Sequence, residues 1–329
     1  APFGGHVQSH DFVEAVLLQR AGWGVYMAAS ARGSYEGTPP SLIDHVVRDR
    51  RWAQGNLQHL AIVRLARLTP MGRAHLLMGA MSYLVSAIWA LSLLVGLVLA
   101  LQGEHLIPSY FADSRTLFPI WPVFDAGAAL RLFVATMAVV LLPKALGLAL
   151  ELKRVRETAE PGGTLRAVAG VAVETVFSML FAPILMATQT AAVAGILLGR
   201  DSGWRAQRRD DGRLPVRDVV AFHWQHMLAG MLLAAVCWYA SSALLAWMAP
   251  VVLGLAISVA LTWWTARQAS PLFAWLLSTE EERWPPAVVA RTEALAEQWS
   301  ARLAAGDQRR DPARATEAAN HTTSLTRAA

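Results

Sequence analysis

Apolar residues recur at helical spacing in Phe12, Val13, Val16 and Leu17, so the run from Asp11 to Arg20 predicts a helix. Gly22 and Gly24 end it, and Val25-Tyr26-Met27-Ala28-Ala29 reads as a short buried strand. A turn over Gly37 to Pro40 follows. Ser41 is placed to cap a second helix, from Leu42 to about Leu60. On that helix Leu42, Ile43, Val46 and Val47 oppose Arg48, Asp49 and Arg51, a basic amphipathic pattern expected at a membrane interface.

The pattern then changes from alternation to long apolar runs. Residues 74–103 carry no formal charge and hold one span, about 77–101. Residues 129–150 form a second, in which Lys144 is expected to snorkel and Pro143 to kink the helix. Residues 175–199 are charge-free as well. Residues 219–266 are charge-free over 48 positions, too long for one pass; Met248-Ala249-Pro250 marks a natural break into spans of about 226–247 and 250–267. The tail is polar and rich in Ala and Arg, with one helix expected over 287–305 and disorder beyond it.

Loop charge bears on topology. The first loop, 102–128, has Arg115 beside Glu104, Asp113 and Asp125. Loop 151–167 has Lys153, Arg154, Arg156 and Arg166, loop 200–218 has six Arg, and the tail after 266 has eight. The positive-inside rule puts the first loop outside and the other three inside. That parity holds if 165–199 is an interfacial or re-entrant element, and fails if it is a further span. Loop charge favours the first; hydropathy favours the second. The expected organisation is therefore 1–60 as the end of a soluble α/β domain, 61–268 as a membrane domain and 269–329 as a charged cytoplasmic tail. The fold class is mainly α: a polytopic helical membrane bundle preceded by the C-terminal end of an α/β domain.

Composition supports this. The chain is 55% hydrophobic and 16% charged, where a soluble domain carries about a quarter charged residues. Lys144 and Lys153 are the only lysines, and the Arg-rich loops set topology; no aromatic-interleaved basic domain argues for nucleic acid. Cys237 is the one cysteine, which excludes an internal disulfide and a Cys-based metal site. The chain begins at Ala1 without a signal-peptide pattern and reads as the C-terminal portion of a longer protein.

The candidate chemistry lies ahead of the first span. Asp11 opens its helix and is either an N-cap or a general base; His10 either orients it or is structural. Arg48 and Arg51 lie three apart, on one helix face, with forked donors suited to phosphate oxygens or hydroxyls, and Trp52 offers a ring on which a sugar can stack. The bland alternative is an interfacial basic-aromatic helix. The loop 200–217, with Trp204, Gln207, Arg208, Arg209, Asp210 and Asp211, is either a gating loop or a topology-setting one. His223 and His226 sit three apart; interfacial histidines beside Trp224 are favoured over a metal pair.

Several separated runs resemble one family in order and spacing: Phe3-Gly4-Gly5-His6, Ser9-His10-Asp11-Phe12-Val13-Glu14-Ala15, Arg20-Ala21-Gly22-Trp23-Gly24, Gly33-Ser34-Tyr35-Glu36, Asp49-Arg50-Arg51-Trp52 with Gly55-Asn56, and Gly203 to Asp211. Together they resemble the processive family-2 membrane glycosyltransferases, in particular those that make osmoregulated periplasmic glucans at the inner membrane of Gram-negative bacteria. The resemblance covers the chain through its last hairpin. The family's T/S-x-D motif maps to Ser9-His10-Asp11 and its Q-x-x-R-W motif to Arg48, Arg51 and Trp52, with Arg48 standing where Gln is usual.

The resemblance implies a glucosyltransferase that moves glucose from UDP-glucose to a linear β-glucan, with β-1,2 linkage, and passes it across the membrane. It implies Asp11 as base, and His10, Arg48, Arg51 and Trp52 as substrate contacts. It also implies a GT-A-like domain and a divalent metal, Mg or Mn, whose D-x-D ligands lie upstream, so that this chain alone is expected to transfer no sugar. The lipid bilayer and acyl carrier protein are implied partners, although no docking motif for the latter is visible. The alternatives are a synthase of another polysaccharide, related to cellulose, chitin or hyaluronan synthases, or a non-catalytic membrane transporter or scaffold.

Overall fold

The computed structural model describes residues 7–28, 33, 35–65, 67–105, 126–158, 162–200, 208 and 213–310. By contact the chain divides into two compact units, residues 1–27 with 38–277 and residues 28–37 with 278–329.

The first unit holds nine helices among its described residues. Two short ones match the amphipathic runs: α1 (His10–Arg20) and α2 (Leu42–Ile62). Ser41 caps α2, its hydroxyl accepting from the Asp44 N–H at 3.2 Å and donating to the Asp44 carboxylate at 2.5 Å. Val25-Tyr26-Met27 is not the expected buried strand. It is irregular and exposed, Tyr26 to 91%, and no strand partner lies beside it among the described residues.

Four long helices follow: α3 (Pro70–His105), α4 (Ala126–Thr158), α5 (Gly163–Leu197) and α6 (Val216–Ala240). All four are long and apolar enough to cross a membrane. α3 buries a narrow stripe at Gly72, Leu76, Ala80 and Tyr83, while Val85, Ile88, Leu91, Leu94 and Leu99 point outward. Such a surface is stable in lipid, where apolar side chains need no cover. Pro143 lies inside α4 without ending it.

The last apolar run breaks earlier than its sequence suggests. The break is at Ser241, which is extended (φ −169°) and caps α7 (Ser242–Ala256) through the Ala243 N–H; Pro250 lies within α7. A bend of 56° separates α7 from α8 (Ser258–Thr265), and the pair folds back along α6. Small residues permit close approach here: a Cβ on Gly230 would lie 2.5 Å from the Ala256 nitrogen. α9 (Pro271–Leu277) then crosses α5 at Gly170, where a Cβ would lie 2.5 Å from the Leu276 carbonyl oxygen.

α5 organises the unit. Near its C-terminal end Val193 packs with Ala53 and Leu57 of α2 and Ala80 and Tyr83 of α3. Its middle, from Phe177 to Ile184, meets Trp89 and Leu93 of α3, Val251 and Leu255 of α7 and Leu261 of α8. Its N-terminal third meets the later half of α4. There Arg166 pairs with Glu151 at 3.1 Å, and Lys144, instead of snorkelling alone, pairs with Glu174 at 2.5 Å.

The second unit contains α10 (Glu280–Arg283), closed by a capping box between Thr279 and Glu282, and α11 (Ala287–Arg310). α11 starts where the tail helix was expected and runs past 305.

Candidate functional site

The segments that carry the two motifs ahead of the first span are about forty residues apart in sequence and touch at Ser9 and Gly55, while no contact joins Asp11 to Arg48, Arg51 or Trp52 among the described residues. Ser9 lies against Gly55 of α2, one turn beyond Trp52; a Cβ on Gly55 would stand 2.7 Å from the Ser9 nitrogen. The Ser9 carbonyl accepts from His59 Nε2 at 3.0 Å, and the Gln8 N–H donates to Gln58 Oε1 at 3.0 Å. Phe12 fills the space between the rings of His59 and His75, at 5.7 and 4.9 Å. His59 is fully buried. Burial pushes its imidazole below the ordinary histidine value, the hydrogen bond to Ser9 opposes this, and nearby His75 adds to the lowering.

Asp11 is not the N-cap. Ser9 occupies that position without a side-chain bond, and Asp11 lies in the first turn of α1. Its carboxylate is exposed and paired with His10 Nδ1 at 2.5 Å. A carboxylate there is favoured by the helix dipole. Asp11 also borders a cavity of about 670 Å³ shared with Phe12, Gln19, Tyr26, Met71 and His75.

On α2 the Arg48 guanidinium stacks over the Trp52 ring at 4.5 Å, so one face of the indole is already covered. Trp52 is still 42% exposed. Arg48 Nε is buried without an acceptor among the described residues, while Arg51 is half-buried.

Asp49 departs from the amphipathic reading. It is buried while Val47 is exposed, because α2 packs on α3 and α5 instead of lying free. Its carboxylate accepts from Tyr83 Oη at 3.0 Å and Gln189 Nε2 at 2.8 Å, and Ser86 Oγ donates to Gln189 Oε1 at 2.5 Å. Polar residues within largely apolar helices, Tyr83, Ser86 and Gln189, were the signal for this network.

Beneath α2 a cavity of about 590 Å³ opens towards α5 and α6, with Asp49, Arg50, Gln189, Arg200, Gln225 and His226 among its walls. His223 is buried and bonded to Thr262 at 2.9 Å, which ties α6 to α8. Among the described residues no group of three or more His, Cys, Asp or Glu can hold a metal ion.

Of the expected gating loop, Arg208 is described, its guanidinium donating to the Arg213 carbonyl at 3.3 Å. Trp204, Gln207, Arg209, Asp210 and Asp211 lie outside the described residues.

The turn that carries Asp11 and the helix that carries Arg48–Trp52 thus touch ahead of the long apolar helices, and a cavity with several polar side chains among its walls opens beneath α2. Residues 3–149 match the family model described as glycosyl transferase family group 2. Over nearly all its length the chain is homologous to proteins named glucans biosynthesis glucosyltransferase H. The Vibrio cholerae serotype O1 relative is 46% identical over 319 residues, 93% of this chain and 44% of the relative. The Shewanella putrefaciens relative is 48% identical over 295 residues, 89% of this chain and 41% of the relative. The Shewanella baltica relative is 48% identical over 287 residues, 86% and 40%. The chain thus spans less than half the length of these curated relatives. No solved structure matches it.

Proposed function

We propose that this chain supplies the acceptor-and-base half of an inner-membrane glucosyltransferase that extends a linear β-glucan, with β-1,2 linkage, from UDP-glucose. The observation that carries this reading is the docking of Ser9 on Gly55, which joins the Asp11 turn to the Arg48–Trp52 helix. In the reaction the acceptor hydroxyl attacks the anomeric carbon of the donor glucose. Asp11 takes the hydroxyl proton, the new glycosidic bond forms, and the bond to the nucleotide diphosphate breaks with inversion. Arg48 and Arg51 stabilise charge on the diphosphate or hold acceptor hydroxyls, and the open face of Trp52 carries the acceptor ring. His10 holds the Asp11 carboxylate through their contact.

The cavity of about 590 Å³ beneath α2 is the proposed first station of the leaving glucan, since its walls offer hydroxyl partners of both signs. Loop 200–217 closes over the nucleotide in this reading. A divalent metal and its ligands belong to the part of the enzyme outside this chain, and acyl carrier protein is a partner implied by the family resemblance alone. In this reading the segment 165–199 is an interfacial or re-entrant element that returns to the cytoplasmic face, which keeps loop 200–218 on the side of α2.

The test is Asp11→Asn and Trp52→Ala in a full-length glucosyltransferase carrying this chain. Both should insert normally, and Asp11→Asn should lower glucose incorporation from labelled UDP-glucose by a factor of roughly 10² or more. Unchanged incorporation would leave the scaffold or transporter reading in place. The chain alone should incorporate none.

A further inference from the structure

A third cavity, of about 630 Å³, lies away from the transfer site, between the N-terminal half of α5, the end of α8 and α9. Its floor is aromatic. Phe177 stacks on Trp264 at 5.6 Å, and Phe273 meets Trp264 edge-on at 5.0 Å. Its rim is polar, with Glu174 on one side and Arg267, Gln268 and Ser270 on the other.

The charges do not balance. Glu174 is matched by Lys144 at 2.5 Å and also accepts from Ser178 Oγ at 2.5 Å, so that pair is neutral and satisfied. Arg267 has no carboxylate within ion-pair distance among the described residues; its guanidinium rests on the Trp263 ring at 3.4 Å. It is also the first charged residue after the charge-free run 219–266, so it marks the level at which the last apolar span ends. The rim thus carries one uncompensated cation above an aromatic floor, where the charge-free run ends. Leu272 and Trp275 of α9 continue the apolar surface outward.

We propose that this cavity binds the head of an anionic phospholipid. Arg267 takes the phosphodiester with its forked donors, Ser270 and Gln268 add hydrogen bonds, and the glycerol and upper acyl chains lie on Phe177, Trp264 and Phe273. A soluble phosphate would gain nothing from the aromatic floor, and an uncharged diacylglycerol would leave Arg267 unmatched.

The test uses the full chain, purified in mild detergent and stripped of lipid, with native mass spectrometry as the readout. Dioleoylphosphatidylglycerol should remain bound, whereas dioleoylglycerol and glycerol 3-phosphate should not. Arg267→Gln should weaken retention about fivefold. Arg267→Lys should keep most of it, and Arg64→Gln, at an exposed arginine elsewhere, should change nothing. Retention of dioleoylglycerol equal to that of the phospholipid, or retention unaffected by Arg267→Gln, would overturn the proposal. Should Arg267→Gln not survive purification, the comparison of the two lipids on the parent chain decides alone.

Discussion

His59 is the residue on which the Asp11 turn hangs. It is buried, it holds the Ser9 carbonyl, and burial keeps its imidazole neutral where an exposed histidine would begin to protonate. The direction of the linkage follows. The unfolded chain titrates near 6.5 and the folded chain lower, so between those values the unfolded state binds more protons and stability rises with pH. The contribution is intact above about 6.5 and is lost as pH falls towards the lower folded value. A His59→Gln variant keeps an N–H donor for Ser9 but has nothing to titrate. Thermal unfolding at pH 7.5 and pH 5, at about those settings, should show a larger fall for the parent than for the variant. Equal falls would mean that His59 is not the titrating group. The same site shows what a sequence conceals at this scale. Asp11 was legible as the first acidic residue of a helix, yet its choice between cap and free carboxylate was not. That choice depends on Ser9, whose backbone is held by residues some fifty positions away.

Helices α1 and α2 were readable because a 3.6-residue apolar period and the Ser41 cap are local signals. The burial of Asp49 was not, since it depends on Gln189, 140 positions further on. The break at Ser241 was hidden for a related reason: a proline inside a long apolar run looks like the stronger punctuation, but α7 accommodates Pro250 within its length. The Asp49 network makes a testable claim about how α2 is held on α3 and α5. Gln189→Leu removes one donor to a buried carboxylate and should cost about 1–3 kcal/mol. Asp49→Asn is destabilising alone, yet in the Gln189→Leu background it should recover part of the loss, because a neutral amide tolerates the missing donor better than a charge does. Purely additive losses, read from thermal unfolding of the four proteins, would show that the carboxylate and Gln189 do not act together.

At the scale of the whole chain, the open question in the sequence was whether 165–199 crosses the membrane. Length and hydropathy allow it, and the helix is continuous over 35 residues, about 52 Å. α5 packs antiparallel along the middle of α3, with Val193 by Ala80 and Tyr83 and the Phe177–Ile184 stretch by Trp89 and Leu93, and along the later half of α4, with Arg166 by Glu151 and Glu174 by Lys144. Loop charge argues differently: if α3 leaves the side of α2 and α4 returns to it, both ends of α5 belong on that side. α6 then departs from the same side and the bent α7–α8 pair returns to it. The six arginines of 200–218 and the basic segment around Arg154 would share one face, as loop charge requires. The decisive measurement starts from Cys237→Ser, which removes the only cysteine, and places single cysteines at Gly162 and Arg213, one on each side of α5. In sealed inverted vesicles an impermeant maleimide should label both. Labelling of only one would make α5 a full span, move loop 200–218 to the opposite face from α2, and separate that loop from the nucleotide it is proposed to cover.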